Sequence, residues 1–319
     1  AAQKRLPPFG GYSGGEFDYA FQSPGPLYEP GRNSHDWWRF ARFLHATGFG
    51  PGDIVQNCFS YHLTPAGTMF ENGARALGAA VLPAGTGQTE LQAQAAHDVG
   101  VTCYAGTPDY LKVILEKADE MGLTLNIGKA AVGGGALFPS LRQWYADRGI
   151  VCRQCYATAD LGNIAYESEA MDGLILDEGV VVEIVTPGTG DHVPFGEVGE
   201  VLVTTLNNDY PLVRFATGDL SATNGPIQVT AGTGAIMMVN GTTYMTGGGN
   251  ATLLANTNIA LGEINAGNGN ISCTATGGTM TDVTGSATSQ NLLGTTGTLS
   301  AANEIGTGTS SGIGNIGTD

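Results

Sequence analysis

The sequence predicts a doubly wound α/β domain with mostly parallel strands, followed by a small β subdomain and a repetitive tail. Three observations carry this prediction. Between residues 35 and 156, short apolar runs alternate with helical patterns across short links. From residue 174 to 215 the pattern changes to β-strands separated by Pro-Gly turns, and after residue 221 the chain is rich in Gly, Thr and Asn. The predicted domains are therefore 1–173, 174–221 and 222–319.

The elements follow one another from the amino end. Residues 1–34 are rich in Gly and Pro and predict irregular chain. In 35–47 the residues Trp38, Phe43 and Leu44 recur at helical spacing, and Gly48 ends the run. By the same patterns, further helices are predicted at 65–78, 90–98, 108–122 and 139–148. Strands are predicted at 53–59, 79–83 (a buried strand), 101–105, 129–132, 151–156, 180–185, 199–205 and 212–215.

Charge is distributed unevenly along the 319 residues, whose formal net charge is −16. All Lys, Arg and His residues lie at or before Arg214, and the four charged residues after Ser221 are acidic. An acidic chain without a basic patch is not expected to bind nucleic acid or an anionic membrane. No apolar run reaches the length of a membrane span, and no leader pattern follows Ala1. Oligomeric state stays open.

The tail contains about 20 Gly and 20 Thr residues, with short runs in which apolar residues alternate. These runs are 251–255, 271–275 and 298–302, and the first two each follow a Gly-Asn pair. A loose period near 20 residues with such alternation is typical of a β-solenoid, in which each coil buries its apolar face on the next. A disordered Gly/Thr linker is the alternative. The alternation favours the solenoid.

Two short strings could carry chemistry. In Tyr156–Asp160, a carboxylate just past a strand end suits Mg²⁺ held against phosphates, Tyr156 can stack on a purine, and Thr158 can donate a hydroxyl. A loop with an Asp helix cap is the alternative. In Arg214–Asp219, the carboxylate of Asp219 can accept hydrogen bonds from both ribose hydroxyls. An ordinary Thr-Gly-Asp turn is the alternative there.

Several segments between residues 35 and 221 occur in the order found in the phenylacetate–CoA ligase family of AMP-forming enzymes, which this region resembles. They are Phe59-Ser60-Tyr61-His62, Gly85-Thr86-Gly87-Gln88-Thr89-Glu90, Gly106-Thr107-Pro108-Asp109-Tyr110-Leu111, Gly133–Leu137, Tyr156–Asp160, Gly196–Glu200 and Pro211–Asp219. The family loop ends in Glu where this chain has Asp160. The resemblance implies the α/β core of an adenylate-forming enzyme.

The resemblance also implies a reaction and its cofactors. A carboxylate attacks the α-phosphate of ATP to give an acyl-adenylate, and CoA then displaces AMP. By carry-over, Asp219 holds the ribose, Tyr156 stacks on adenine against Gly133, Gly134 and Gly135, Thr158 contacts the nucleotide, and Asp160 binds Mg²⁺. Tyr61, His62, Thr107 and Pro108 border the acyl site. For Tyr61 and His62, packing at a strand end is the alternative. A cytoplasmic location is implied for this part of the chain.

The chain departs from the family pattern at two places. The only counterpart of the phosphate-cradling loop is Ser23–Pro26, which lacks the family's Lys and contains two Pro without backbone N–H groups. No Lys follows Lys129, although the family places the Lys that promotes adenylation after the Thr-Gly-Asp string. Because that charge would stabilise the transition state, little or no complete ligase activity is expected of these residues, and none is assigned a catalytic role.

Three further sequence features are compared with known motifs: a Cys-x-x-Cys string, a glycine turn and the repeats of the tail. Cys152 and Cys155 form a Cys-x-x-Cys string without a second pair, and on a strand their thiols would point to opposite faces, so a structural role is favoured over zinc or redox chemistry. The Gly133–Gly135 turn is not a Walker loop. The tail resembles the repeats of secreted haemagglutinin-type adhesins, as in 269–278. The alternative hypothesis is therefore a structural or adhesive protein in which the tail is the working part.

Overall fold

The computed structural model of the chain describes residues 2–23, 27–135, 137–171, 173–194, 197–222, 227–231, 235–237, 243–245, 250–266, 269–282, 292–293, 295–303 and 305. The helices are α1 (Ala2–Arg5), α2 (Ala41–Ala46), α3 (Ala66–Ala76), α4 (Thr89–Val99), α5 (Pro108–Met121) and α6 (Pro139–Asp147).

The strands up to residue 222 are β1 (Tyr19–Ser23), β2 (Leu27–Gly31), β3 (Ile54–Asn57), β4 (Ala80–Pro83), β5 (Cys103–Gly106), β6 (Lys129–Val132), β7 (Val151–Thr158), β8 (Gly162–Tyr166), β9 (Ile175–Leu176), β10 (Val180–Val185), β11 (Val198–Thr205) and β12 (Phe215–Ala222). Those that follow are β13 (Ile227–Ala231), β14 (Ile236–Met237), β15 (Thr243–Met245), β16 (Ala251–Ala255), β17 (Ile259–Leu261), β18 (Glu263–Asn265), β19 (Ile271–Ala275), β20 (Met280–Asp282), β21 (Leu292–Leu293) and β22 (Gly297–Ala301).

The chain divides into two compact units. The first contains residues 1–137, 141–181 and 204–213, and the second contains 138–140, 182–203 and 214–319. The first unit is built on a seven-stranded sheet in the order β4-β3-β5-β6-β7-β8-β9. Its first five strands are parallel, and β8 and β9 add antiparallel to β7. The predicted doubly wound α/β architecture is confirmed for this unit.

Both faces of this sheet are covered, which explains the nearly continuous apolar runs of its strands. On one face, Cys103 and Ala131 pack with residues of α2 and α3. On the other face, Tyr104 and Ala130 pack with residues of α4, α5 and α6. The strand predicted at 79–83 differs from its expected environment, because β4 lies at the edge of the sheet and its residues are exposed or half-buried.

The Cys-x-x-Cys string lies on β7, and its two thiols belong to opposite faces of the sheet. Cys152 packs with the apolar cluster of α4, α5 and α6, whereas Cys155 packs against the cluster of α2 and α3. Burial raises the pKa of the Cys152 thiol to about 12, which keeps it protonated and unreactive at neutral pH. Both positions therefore have the packing role that the strand pattern favours.

The first predicted helix is shorter than expected. Instead of spanning 35–47 it begins at Ala41, because Asp36 and Arg39 adopt left-handed backbone angles, with φ of 48° and 65°. Asp36 Oδ1 accepts a hydrogen bond of 2.9 Å from the Ala41 backbone N–H. The Asp36 side chain thus caps the helix start, and the left-handed backbone of Asp36 and Arg39 excludes regular helix before Ala41.

The region predicted as irregular, 1–34, contains a β-hairpin. Strands β1 and β2 pair antiparallel, with Tyr19 opposite Gly31. The Gln3 side-chain amide accepts a hydrogen bond from the Tyr28 N–H and donates one to the Tyr28 carbonyl, at 2.9 and 2.7 Å. These bonds satisfy backbone groups on the outer edge of β2 and tie α1 to the hairpin. The loop 24–26 lies outside the described residues.

The second unit contains a six-stranded sheet in the order β10-β11-β12-β15-β18-β21. The strand predicted at 212–215 begins only at Phe215 and continues to Ala222. Leu220 and Ser221 then pair in parallel with Tyr244 and Met245. The boundary predicted between 221 and 222 falls within β12.

After residue 226 the described strands form parallel stacks. In the four-stranded sheet β13-β16-β19-β22, Ala251 lies beside Ile271, which lies beside Gly297. The strands β14, β17 and β20 form a second parallel sheet. Alternate residues of β16, β17 and β19 are buried in a common apolar core that includes Leu253, Ile259 and Cys273. In the described part of the chain, no helix is long and apolar enough for a transmembrane segment.

Candidate functional site

Five consecutive parallel strands of the first unit end at the same edge of the sheet. The chain leaves β4, β3, β5, β6 and β7 there, because parallel neighbours share their carboxyl ends. Most of the segments that the sequence singles out follow these strands: Phe59–His62 after β3, Thr107-Pro108 after β5, Gly133–Gly135 after β6, and Asp160 after β7. Ligands of open α/β sheets bind at this edge.

The glycine turn after β6 brings three of these segments together. A Cβ on Gly134 would lie 3.7 Å from Phe59 Cε1, and one on Gly135 would lie 3.5 Å from Pro108 Cδ. The tightest position is Gly133, where an added Cβ would lie 3.0 Å from the Cys155 sulfur. Gly134 also has a φ of +69°, which strains any other L-residue. The small residues thus leave exposed backbone between the loops after β3 and β5.

Tyr61 is tied to the start of α3. Its hydroxyl accepts a hydrogen bond of 2.8 Å from Asn57 Nδ2, and its ring packs against the Gly67 backbone. Asn57 is fully buried and also donates to the Gly67 carbonyl at 2.7 Å. Burial, followed by the charge of Glu71, raises the pKa of Tyr61 above its usual range. These contacts are those of a side chain packed at a strand end. The next residue, His62, is exposed.

Thr107 and Pro108 form the beginning of α5. Pro108 occupies the first turn, where its missing N–H costs nothing, and it is buried. The Tyr104 hydroxyl donates to the Thr107 carbonyl at 2.9 Å, and the Tyr145 hydroxyl donates to the Pro108 carbonyl. Both carbonyls at this helix start are therefore held by buried phenols. The Thr107 side chain is half-buried at the edge where the strands end.

The string Tyr156–Asp160 is less of a loop than expected. Strand β7 continues through Tyr156 to Thr158 and pairs with β8, with a register shift after Tyr156. The Thr158 hydroxyl accepts a hydrogen bond of 3.1 Å from the Leu161 N–H, so it stabilises the turn into β8. Asp160 is half-buried in that turn, and burial raises the pKa of its carboxyl group.

Glu29 is a candidate residue that the sequence patterns did not indicate. It lies on β2, and only 1% of its surface is exposed. Burial and then the charge of Asp160 raise its pKa to about 7, while Ser23 and the backbone offset this in part. Neither carboxylate oxygen has a partner at hydrogen-bonding geometry among the described residues. Its one sequence signal is a lone acid in an otherwise apolar Gly/Pro-rich hairpin.

Tyr210 completes this group of buried polar residues. It is 3% exposed, and burial, then the charges of Asp160 and Glu29, raise the pKa of its phenol. The three side chains Glu29, Asp160 and Tyr210 therefore share one poorly solvated region of the first unit. In the described residues no group of three His, Cys, Asp or Glu side chains is arranged to hold a metal ion.

Asp219 belongs to the second unit and is 8% exposed. It lies inside β12 rather than after it. Glu200 pairs with Leu220 and Leu202 with Ala216, so the Thr217-Gly218-Asp219 segment bulges opposite Val201. The Thr217 hydroxyl donates to the Val201 carbonyl at 3.0 Å and accepts from the Asp219 N–H at 3.1 Å. Gly218, with φ of +82°, allows the bulge.

Comparison with known proteins identifies relatives of one kind. The chain is 29% identical over 190 residues to a phenylacetate-coenzyme A ligase of Thermus thermophilus, a match that covers 57% of this chain and 43% of the relative. It is 32% identical over 204 residues to the phenylacetate-coenzyme A ligase of Escherichia coli, covering 60% and 46% of the two chains. The chain thus spans less than half the length of these relatives. No protein-family model matches it.

Among solved structures, the chain resembles an open conformation of 2-hydroxyisobutyryl-CoA ligase in complex with 2-HIB-AMP and CoA. The TM-score is 0.63 at 24% identity, and the match covers 70% of this chain and 53% of that chain. At this identity the likeness establishes the fold. Over about 60% of its length, the chain is therefore similar in sequence to acyl-CoA ligases of the phenylacetate type, and it has, in part, the α/β fold of an adenylate-forming enzyme core.

Proposed function

We propose that this chain is an acyl-CoA ligase-like protein that binds an adenine nucleotide and a small carboxylate. The observation that carries the proposal is the convergence at one sheet edge of the loops after β3, β5 and β6, where Gly134 and Gly135 bring Phe59 and Pro108 together. A glycine backbone exposed beside apolar and aromatic side chains suits a planar base and an acyl group. The similarity to phenylacetate-coenzyme A ligases supports the same function.

The proposed roles are those that the resemblance to phenylacetate–CoA ligases implies. Gly133, Gly134, Gly135, Tyr156 and Thr158 contact the nucleotide. Asp219 accepts hydrogen bonds from the ribose hydroxyls, and Asp160 binds Mg²⁺. Tyr61, His62, Thr107 and Pro108 border the acyl group, and of these His62 is the most exposed. CoA is the proposed acyl acceptor. Because no Lys follows Lys129, we expect these 319 residues to bind AMP without forming acyl-CoA.

Isothermal titration with AMP in the presence of Mg²⁺ tests the proposal. We expect binding in the millimolar range or tighter, and we expect Asp219→Ala to weaken it by about tenfold or more, since two hydrogen bonds to a carboxylate are lost. Asp191→Ala, an exposed acid in the same unit, is the matched control and should bind AMP as the parent does.

Two outcomes would count against this assignment. Absence of heat up to several millimolar AMP would remove the nucleotide-binding proposal for these 319 residues. Equal affinity of the parent and Asp219→Ala would leave nucleotide binding intact but show that the ribose is held elsewhere.

We propose, as a second candidate function, that the tail is a β-solenoid-like structural module. Its role in this hypothesis is structural or adhesive. What favours it is the repeated parallel register, in which Leu253, Cys273 and Leu299 occupy equivalent positions on successive strands. The side chains of Leu253 and Cys273 are fully buried in the apolar core of this region. A row of equivalent buried residues is what stacked coils require.

Cys273 supplies a direct test, because it is the only Cys after residue 155. Burial raises the pKa of its thiol to about 12, so it should resist alkylation by N-ethylmaleimide at pH 7.5 in the native chain. Leu254→Cys places a thiol on the neighbouring strand at a position that is 39% exposed, and it should react readily. Peptide mass spectrometry separates the two sites.

The same measurement in guanidinium chloride should label every Cys. Native labelling of Cys273 as fast as that of Leu254→Cys would indicate a disordered tail and would remove the structural-module hypothesis.

A further inference from the structure

The loop 85–88 joins the edge strand β4 to α4, and its backbone is unusual. Gly85, Gly87 and Gln88 all have left-handed angles, with φ of +66°, +79° and +52°. A Gln residue in this conformation is strained, and strained backbone persists where neighbouring groups fix it. The conformation of this loop therefore depends on the contacts that surround it.

A buried glutamine of α4 supplies the main contacts. Gln92 is 5% exposed, and its Nε2 donates hydrogen bonds to the carbonyls of Gly85 and Gly87, at 2.9 and 2.8 Å. Its Oε1 accepts hydrogen bonds from Gln56 Nε2 at 2.9 Å and from the Cys58 thiol at 3.1 Å. The nitrogen of this amide thus holds the loop, while the oxygen is fixed to the end of β3.

Two further hydrogen bonds join the loop to elements that carry the proposed acyl-site residues. The Tyr110 hydroxyl, in the first turn of α5, donates to the Gly87 carbonyl at 2.7 Å. The Gly85 N–H donates to the Asn57 carbonyl at 2.9 Å, and Asn57 Nδ2 donates to the Tyr61 hydroxyl at 2.8 Å. The loop is therefore bonded on one side to the start of α5 and on the other to the end of β3.

These bonds bring the loop to the place where the strand order reverses. The strands β3 and β5 are neighbours, but β3 leads to α3 on one face of the sheet and β5 leads to α5 on the other. Open α/β sheets bind ligands in the crevice at such a switch point. Since β3 separates β4 from β5, the bond from α5 to Gly87 requires loop 85–88 to extend across the end of β3, where Gln92 holds it.

We propose that Gln92 is a positioning residue, which holds loop 85–88 as one wall of the crevice where the small carboxylate of the proposed function binds. The inference rests on that function and adds a second wall to its site. The strands β4 and β6 lie on either side of the β3–β5 pair, so the loop after β4 faces the crevice from the side away from the glycine turn after β6. Carboxylate binding should depend on this loop, whereas AMP binding should not.

The test compares two Gln→Met variants of the full chain by isothermal titration. Gln92→Met keeps a side chain of similar size and removes its hydrogen bonds. It should weaken the binding of benzoate or hexanoate, an aryl and an alkyl probe, by about tenfold or more, and leave the AMP affinity within twofold. Gln94→Met is the matched control, because Gln94 lies on the same helix and bonds to Asp98 rather than to the loop. It should bind all three compounds as the parent does.

Hydrogen exchange followed by nuclear magnetic resonance gives a local readout that needs no ligand. The Gly85 N–H should exchange about tenfold faster in Gln92→Met and at the parent rate in Gln94→Met. The Ala130 N–H, in the middle of the sheet, should exchange at the parent rate in both variants. If Gln92→Met fails to fold, Tyr110→Phe decides by the same criteria, since it removes the second hydrogen bond to the Gly87 carbonyl at a half-buried position.

Several results would overturn the positioning role. They are an affinity of Gln92→Met for the probes within twofold of the parent, an unchanged exchange rate at Gly85, and faster exchange at Gly85 and Ala130 alike, which would indicate general destabilisation. A parent chain that binds AMP but neither probe would overturn this inference and leave the nucleotide part of the proposed function standing. A parent chain that binds neither AMP nor the probes would remove the proposed function itself.

Discussion

Replacing Arg39 with Ala is expected to lower the free energy of unfolding of the first unit by about 3–5 kcal/mol. The Asp177 side chain is 1% exposed, and its Oδ1 lies 3.2 Å from Arg39 Nε, at an angle that favours the charge contact rather than a hydrogen bond. Arg39 also donates to the carbonyls of Leu161 and Asn163. Removing the guanidinium leaves a buried carboxylate without its cation and takes one donor away from two buried carbonyls.

Urea unfolding followed by Trp fluorescence measures this change selectively, because all three Trp residues lie in the first unit. Arg42→Ala is the matched control. Its partner is Glu178, both side chains are more than half exposed, and such pairs contribute about 1 kcal/mol or less. A loss below about 1 kcal/mol in Arg39→Ala, equal to that of the control, would show that water or a rearranged neighbour replaces the ion pair.

Replacing Glu29 with Gln is expected to remove a pH dependence of stability. The pKa of Glu29 is about 7 in the folded chain and near the ordinary 4.5 when unfolded, so between these values the folded state holds a proton that the unfolded state has lost. The parent should therefore lose stability as pH rises through this window, by up to about 3 kcal/mol. The uncharged variant should not, and at pH 8 it should be the more stable protein.

The measurement is urea unfolding at several pH values between 4 and 8. Near pH 4 the parent and Glu29→Gln should differ little, because Glu29 is protonated in both states of the parent. Glu116→Gln should follow the pH profile of the parent. An unchanged slope in Glu29→Gln would show that another group is responsible for the pH dependence.

Much of the first unit could be predicted because its signals are local. The strand at 129–132 has the predicted bounds, and the helix predicted at 108–122 ends one residue earlier, at Met121. Pro at the first turn and Gly after the last one mark this helix in the sequence itself. The tail runs 251–255 and 271–275 also coincide with strands, since alternation with a period of two is readable within five residues.

The candidate site could be predicted only in part. The sequence placed Thr107, Gly133 and Asp160 at or just after strand ends, and parallel strands bring such positions to one edge. It did not indicate that Tyr156 and Thr158 lie within β7. Nor did it indicate that Asp219 lies in a bulge of β12, because a bulge depends on the register with Val201 on the neighbouring strand.

Only the tertiary structure decided the features that join distant parts of the chain. The helix predicted from residue 35 starts at Ala41 because Arg39 turns into the left-handed region and pairs with Asp177, far along the chain. Glu29 becomes a buried acid on a hairpin strand, near Asp160 and Tyr210, although the sequence there predicts irregular chain. Periodicity describes the neighbours of a residue along the chain, whereas burial and charge are set by neighbours in space.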